Sequence, residues 1–186
     1  QGVLAQSSGR TMEAFDLLRH ARALDPTDPA IAFMLGGNYA QQGVSDRALS
    51  LLEEAYGADS TNLTYARALS AGYIEAGRMQ DALVINERLS EADPEDDDVR
   101  YRLIQLYART GELKKGIQLA TELQKRFQPM PEAYGQLTKM KIQLLALSKD
   151  SVAVGREYRA WAALYPEDRR PYYDWILHLF QTGGAK

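Results

Sequence analysis

The side chains able to do chemistry are few in this sequence and poorly placed for it. Histidine, the usual general base, occurs only at His20 and His178, far apart in the chain. One imidazole without a positioned partner makes no catalytic dyad. Cysteine is absent, which excludes disulfides, thiolate nucleophiles and cysteine-based zinc sites. The run Asp93-Pro94-Glu95-Asp96-Asp97-Asp98 has the acidity of a calcium loop but lacks the glycine of its tight turn. Acids gathered before a helix are better read as caps and partners of the positive helix end. Gly36-Gly37 and Gly183-Gly184 follow no predicted strand, so neither is a phosphate loop. No catalytic residue, metal site or cofactor is predicted, and an enzyme is the least favoured class.

Composition narrows the alternatives. The chain of 186 residues is 45% hydrophobic and 25% charged, with a formal net charge of −3. These are values of an ordinary soluble globular protein. Lys114-Lys115, Lys125-Arg126 and Arg169-Arg170 are scattered among acids rather than gathered in the basic stripe that nucleic acid requires. The densest apolar patch, Leu144 to Leu147, is far shorter than a membrane span. A soluble chain is predicted, with cytoplasm and periplasm both open.

The elements that would position any site show a fixed period. From Ala32 to Asp59 the sequence reads as two amphipathic helices meeting at Gly43. Gly9, Gly43, Gly77 and Gly111 stand 34 residues apart, as do Leu35, Leu69, Leu103 and Leu137, and Tyr39, Tyr73 and Tyr107. Asp28 followed by Pro29 predicts a capped helix start, and Ser45 is a candidate cap for the next helix. After Gln128-Pro129-Met130-Pro131 the phase slips by four residues, about one helical turn, and the helix continues to about Leu147 without a glycine at its end.

With those landmarks the chain resembles the tetratricopeptide repeat (TPR) family over nearly its whole length. The resemblance implies an all-α fold, a right-handed superhelical solenoid of helix-turn-helix units. It divides the single array into a partial repeat at 1–26, repeats at about 29–60, 63–94 and 97–128, a longer divergent repeat at 131–166 and a terminal helix at 171–184. Gln1 then falls inside a first helix that Gly9 closes, with Ala14, Leu18 and Ala21 on the inner face of the second. The opening residues therefore read as part of a longer array, with Val3 and Leu4 short of cover. In the fourth repeat Ile104 and Gly116 occupy two facing positions, one enlarged and the other reduced.

The family's carboxylate clamp would need Lys and Asn where this sequence has Phe33 and Gly37, Asn at Ala68, and Lys and Arg at Asp98 and Arg102. Only Arg102 matches, and moving the frame by one repeat to Arg67 and Ala71 restores no asparagine. What the resemblance leaves is the concave face, where it places Phe33, Arg67, Glu75, Tyr101, Gln105, Arg109, Lys139 and Tyr173. The expected function is a non-catalytic protein- or peptide-binding scaffold, with Phe33, Arg67, Tyr101, Gln105, Arg109, Lys139 and Tyr173 as partner-binding residues. Its expected partner is a protein or an extended peptide, acidic in character, with a weak homodimer through open repeat ends as a further contact. The alternatives are an accessory segment that positions a catalytic, secretion or assembly domain of a larger protein, and a self-association module.

Overall fold

The computed structural model describes residues 2–183, with side chains from Met12 onward. Among them are ten α-helices and no strand: α1 Gly2–Leu24, α2 Pro29–Gln41, α3 Ser45–Ala58, α4 Leu63–Glu75, α5 Met79–Ala92, α6 Asp97–Thr110, α7 Leu113–Arg126, α8 Pro131–Leu147, α9 Ser151–Leu164 and α10 Arg170–Gln181. None is long and apolar enough to cross a membrane.

Two local devices recur along the chain. Within helix pairs, Gly43, Gly77 and Gly111 take φ of +74°, +74° and +83°, the left-handed region that glycine enters without steric cost. That turn lets the amide of Val44 donate to the Tyr39 carbonyl at 2.9 Å and that of Arg78 to Tyr73 at 2.8 Å, satisfying carbonyls orphaned at the helix end. After the longer α8 the same turn is made by Lys149 at φ 61°, with Asp150 donating to Leu145 at 3.0 Å. Between pairs, Asp25, Asp59 and Asp93 stand one period apart. Each carboxylate accepts from the amide two residues on, at 3.0, 3.1 and 3.1 Å. The acidic run thus opens with a turn-forming aspartate and continues with Asp97 and Asp98 in the first turn of α6. No group of three or more potential metal-binding side chains occurs among the described residues.

Asp28 caps α2 through the Ala30 amide at 2.8 Å, with Pro29 opening the helix, as its sequence predicts. Ser45 does not cap α3. It is the first helical residue, Val44 holds the cap position, and no side chain bonds there. The Gly43 turn already fixes the chain entering α3 through backbone bonds. Gly9 closes no helix either, because α1 runs unbroken from Gly2 to Leu24. Glycine permits the left-handed turn without compelling it, and inside a helix it costs only about 0.5–1 kcal/mol. Of the expected inner face, Leu18 and Ala21 are half-buried and Ala14 is exposed. The side chains of Val3 and Leu4 lie outside the described residues.

The chain falls into two compact units, residues 1–96 and 97–186. In the first, each helix from α1 to α5 packs on its chain neighbour, and α2 also meets α4. Small residues bring the axes close: a Cβ on Gly36 would stand 3.0 Å from Leu52 Cγ and 3.2 Å from the Ala48 carbonyl. Ala32, Ala55 and Ala82 are wholly buried. Across α4 and α5, buried Asn86 donates to Ser70 Oγ and to the Ala82 carbonyl.

In the second unit Ile104, Ala120, Leu123, Leu137 and Leu144 form one cluster. Ile142, Leu145, Ala153, Val154, Tyr158 and Trp161 form another. The space left at Gly116 is taken chiefly by Leu144, whose methyls lie 3.0 and 3.1 Å from where a Cβ would stand, and by Tyr107 at 3.1 Å. The nearest atoms thus belong to Leu144 and Tyr107 and not to Ile104. The leucine arrives from α8, the neighbouring pair, as stacking of repeats allows. Between α7, α8 and α9 lies a buried polar group. Lys141 Nζ meets Glu157 at 2.7 Å and Gln124 Oε1 at 3.1 Å, while Gln124 Nε2 donates to Thr138 Oγ1 at 2.8 Å.

Candidate binding surface

In the first unit Phe33, on α2, is half-buried with its ring 5.1 Å from that of Tyr65 on α4. Two residues further along α4, Arg67 pairs with Asp96 at 2.5 Å and stays 39% exposed. In the second unit Tyr101, Gln105 and Arg109 follow one another at every fourth residue of α6, so they share one helix stripe. Tyr101 is half-buried beside Phe127, at a ring separation of 6.4 Å, whereas Gln105 and Arg109 are exposed. Burial, and then the Asp97 carboxylate, raise the Tyr101 hydroxyl above the usual phenol value. It is therefore a neutral donor at physiological pH.

Lys139, on α8, joins Asp174 of α10 at 2.8 Å and also stands 5.9 Å from the centre of the Trp161 ring. Tyr173, beside Asp174, is 61% exposed. The structure thus gives Arg67 and Lys139 acidic partners within their own units, which the sequence reading did not anticipate. Both pairs are partly solvated. Such pairs contribute typically about 0–1 kcal/mol, so a ligand carboxylate can exchange with them at little cost.

Two features escaped the sequence reading. One is the outer face of α10 around Tyr173, where Tyr172, Ile176, Leu177, Leu179 and Phe180 are also 42–81% exposed. The other is a set of arginines about a hollow between α1, α2 and α3. Neither histidine joins these groups: His20 is exposed, and His178 lies 6.1 Å from the Tyr158 ring.

Residues 73–139, spanning Tyr73 in α4 to Lys139 in α8, match the tetratricopeptide repeat. That segment carries the tetratricopeptide repeat. Solved structures share the fold over most of the molecule. YrrB, described as a TPR protein with an unusual peptide-binding site, superposes with a TM-score of 0.71 at 15% identity, covering 92% of this chain and 86% of its own. A tetratricopeptide repeat protein from Parabacteroides merdae gives 0.71 at 19% identity, covering 96% of this chain and 69% of its own. MamA (AMB-1) gives 0.67 at 22% identity, covering 85% and 91%. No curated protein matches the sequence.

Proposed function

We propose that this TPR chain is a non-catalytic scaffold that binds a partner polypeptide on the first helices of its repeats. The observation that carries the reading is the α6 stripe. It presents a half-buried ring, an exposed amide and an exposed guanidinium at one helical spacing: Tyr101, Gln105 and Arg109. Rings give contact area at low entropic cost, and Arg grips carboxylates through two parallel bonds. Phe33, Arg67, Lys139 and Tyr173 offer the same two chemistries on α2, α4, α8 and α10. The ligand that fits is an extended acidic peptide with one or two apolar anchors. YrrB's peptide-binding site supports a polypeptide as the class of ligand.

A labelled peptide rich in Asp and Glu with spaced Leu and Phe should bind in the micromolar range, because it is ordered on docking. Arg109→Glu combined with Tyr101→Ala should weaken it by about tenfold or more by fluorescence anisotropy, with the helical circular dichroism signal retained at the assay temperature. Equal binding by the double variant would remove the stripe from the site.

A second reading, self-association, is favoured by the outer face of α10. Its six large residues carry no charge. An exposed apolar patch of that size marks an interaction surface. The occupant that matches it is α10 of a second copy. The shared area, on the order of 500 Å² per copy, is below the roughly 800 Å² of a standard interface, so the dimer should be weak. Sedimentation should show mass rising with concentration, and Phe180→Glu should restore a monomer. A parent chain that stays monomeric at millimolar concentration would exclude this contact.

A further inference from the structure

Arg19 and Arg22 of α1 and Arg47 of α3 line a hollow of about 360 Å³ whose other walls include Leu35 and Tyr39 of α2 and Leu51 of α3. Like charges gathered round one cavity repel one another, so their placement has an electrostatic cost that an anion would relieve. Arg22 spends Nη2 on both oxygens of Glu54, at 2.6 Å each, while its Nη1 is buried without a hydrogen-bond partner. A buried donor left unmade is unfavourable by about 1–3 kcal/mol. Arg19 and Arg47 have no acidic partner among the described residues, and the Arg47 guanidinium stands 5.6 Å from the centre of the Tyr39 ring.

Three guanidiniums less the Glu54 carboxylate leave two positive charges about the hollow. That matches a phosphate monoester, which carries about −1.5 to −2 at pH 7, better than a single carboxylate. Bidentate Arg contacts suit its oxygens. Leu35, Leu51 and the Tyr39 ring ask for an apolar group behind the phosphate, and the volume lies within the range of small-ligand sites.

We infer that this hollow is an oxyanion site for a phosphorylated side chain of a partner polypeptide, phosphotyrosine being the side chain that supplies both the dianion and the apolar body. It is separate from the first-helix surface. Leu35 and Tyr39 lie about 200° and 240° round α2 from Phe33, so they face away from it. The site shares no residue with the α6 stripe.

The test uses the whole chain and three probes: a labelled phosphotyrosine peptide with flanking leucines, its unphosphorylated form, and inorganic phosphate as competitor. The phosphopeptide should bind with a Kd of about 10–100 μM, weakening as KCl is raised, and the unphosphorylated form at least about tenfold more weakly. Arg19→Ala and Arg47→Ala should each lose about tenfold with little change in melting, since both side chains are exposed and neither has an acidic partner among the described residues. The Arg109→Glu, Tyr101→Ala variant should bind it as the parent does, which separates this site from the α6 reading. Equal binding of the two peptides, or parental binding by an Arg19→Ala, Arg47→Ala double variant, would overturn the site. Competition by inorganic phosphate at the peptide's own Kd would overturn the phosphorylated side chain as its ligand.

Discussion

Trp161→Ala should destabilise the second unit by about 3–5 kcal/mol, the range for removing a fully buried large aromatic. Trp161 has no exposed surface and is the largest side chain wholly buried among the described residues. Its indole fills the joint between α8 and α9, in a cluster with Ile142, Leu145, Val154 and Tyr158. The opposing helix has been cut back to receive it: a Cβ on Gly135 would come within 2.7 Å of Cζ2. Lys139 and Arg170 place their charges 5.9 Å from the ring centre, adding a smaller attraction. Truncation therefore leaves a cavity that a rigid helix pair cannot close. Gly135→Ala tests the same joint from the other side, by crowding, and should cost about 1–3 kcal/mol. Urea unfolding followed by circular dichroism measures both, and Trp175, the other tryptophan, remains as a fluorescent reporter of the same unit. A loss under about 1 kcal/mol for Trp161→Ala would mean that the joint collapses or was never tight.

The fold was legible because its turns impose a strict chemical demand. Gly43, Gly77 and Gly111 mark left-handed turns that a side chain would strain. Lys149 shows where that signal ends. A lysine adopts the same conformation there because α8 and α9 over-determine it, and nothing in its residue type announces this. The aspartates at 25, 59 and 93 were equally visible as a 34-residue series and carry a definite bond. Reading the acidic run as one cluster concealed their period.

The candidate surface was less legible, for a related reason. Stacked repeats make neighbours of residues about one period apart, so charge pairs form at that separation: Arg22 with Glu54, Lys139 with Asp174 and Arg170 with Glu132. Residues assigned to a face by position alone are therefore partly engaged with the next repeat. The arginines of the α1–α3 hollow come from two helices in two repeats, a convergence that sequence spacing along any one helix does not reveal.

Glu157→Ala should be the most damaging change that leaves every apolar residue in place. Lys141 stands where three earlier repeats carry Tyr39, Tyr73 and Tyr107, and the structure buries it: its side chain is 11% exposed and that of Glu157 20%. Glu157 is its one ionic partner among the described residues, and Gln124 and Thr138 complete the polar group. Removing the carboxylate leaves an ammonium largely out of water with a single amide oxygen. Deleting one member of a fully buried pair costs about 3–5 kcal/mol, and the residual exposure here lowers the expectation to about 2–3. Replacing both ions together should behave differently. Lys141→Met with Glu157→Leu keeps the volume, removes both desolvation penalties, and should leave stability within about 1 kcal/mol of the parent or raise it. Gln124 Nε2 keeps its 2.8 Å bond to Thr138 in that variant, whereas Gln124 Oε1 loses the ammonium as its donor, which offsets part of the gain. The double-mutant cycle isolates the coupling, which should be at least about 1.5 kcal/mol. If Glu157→Ala and the double replacement cost the same, the ammonium reaches water without its partner, and the pair does not hold the extended α8 against α9.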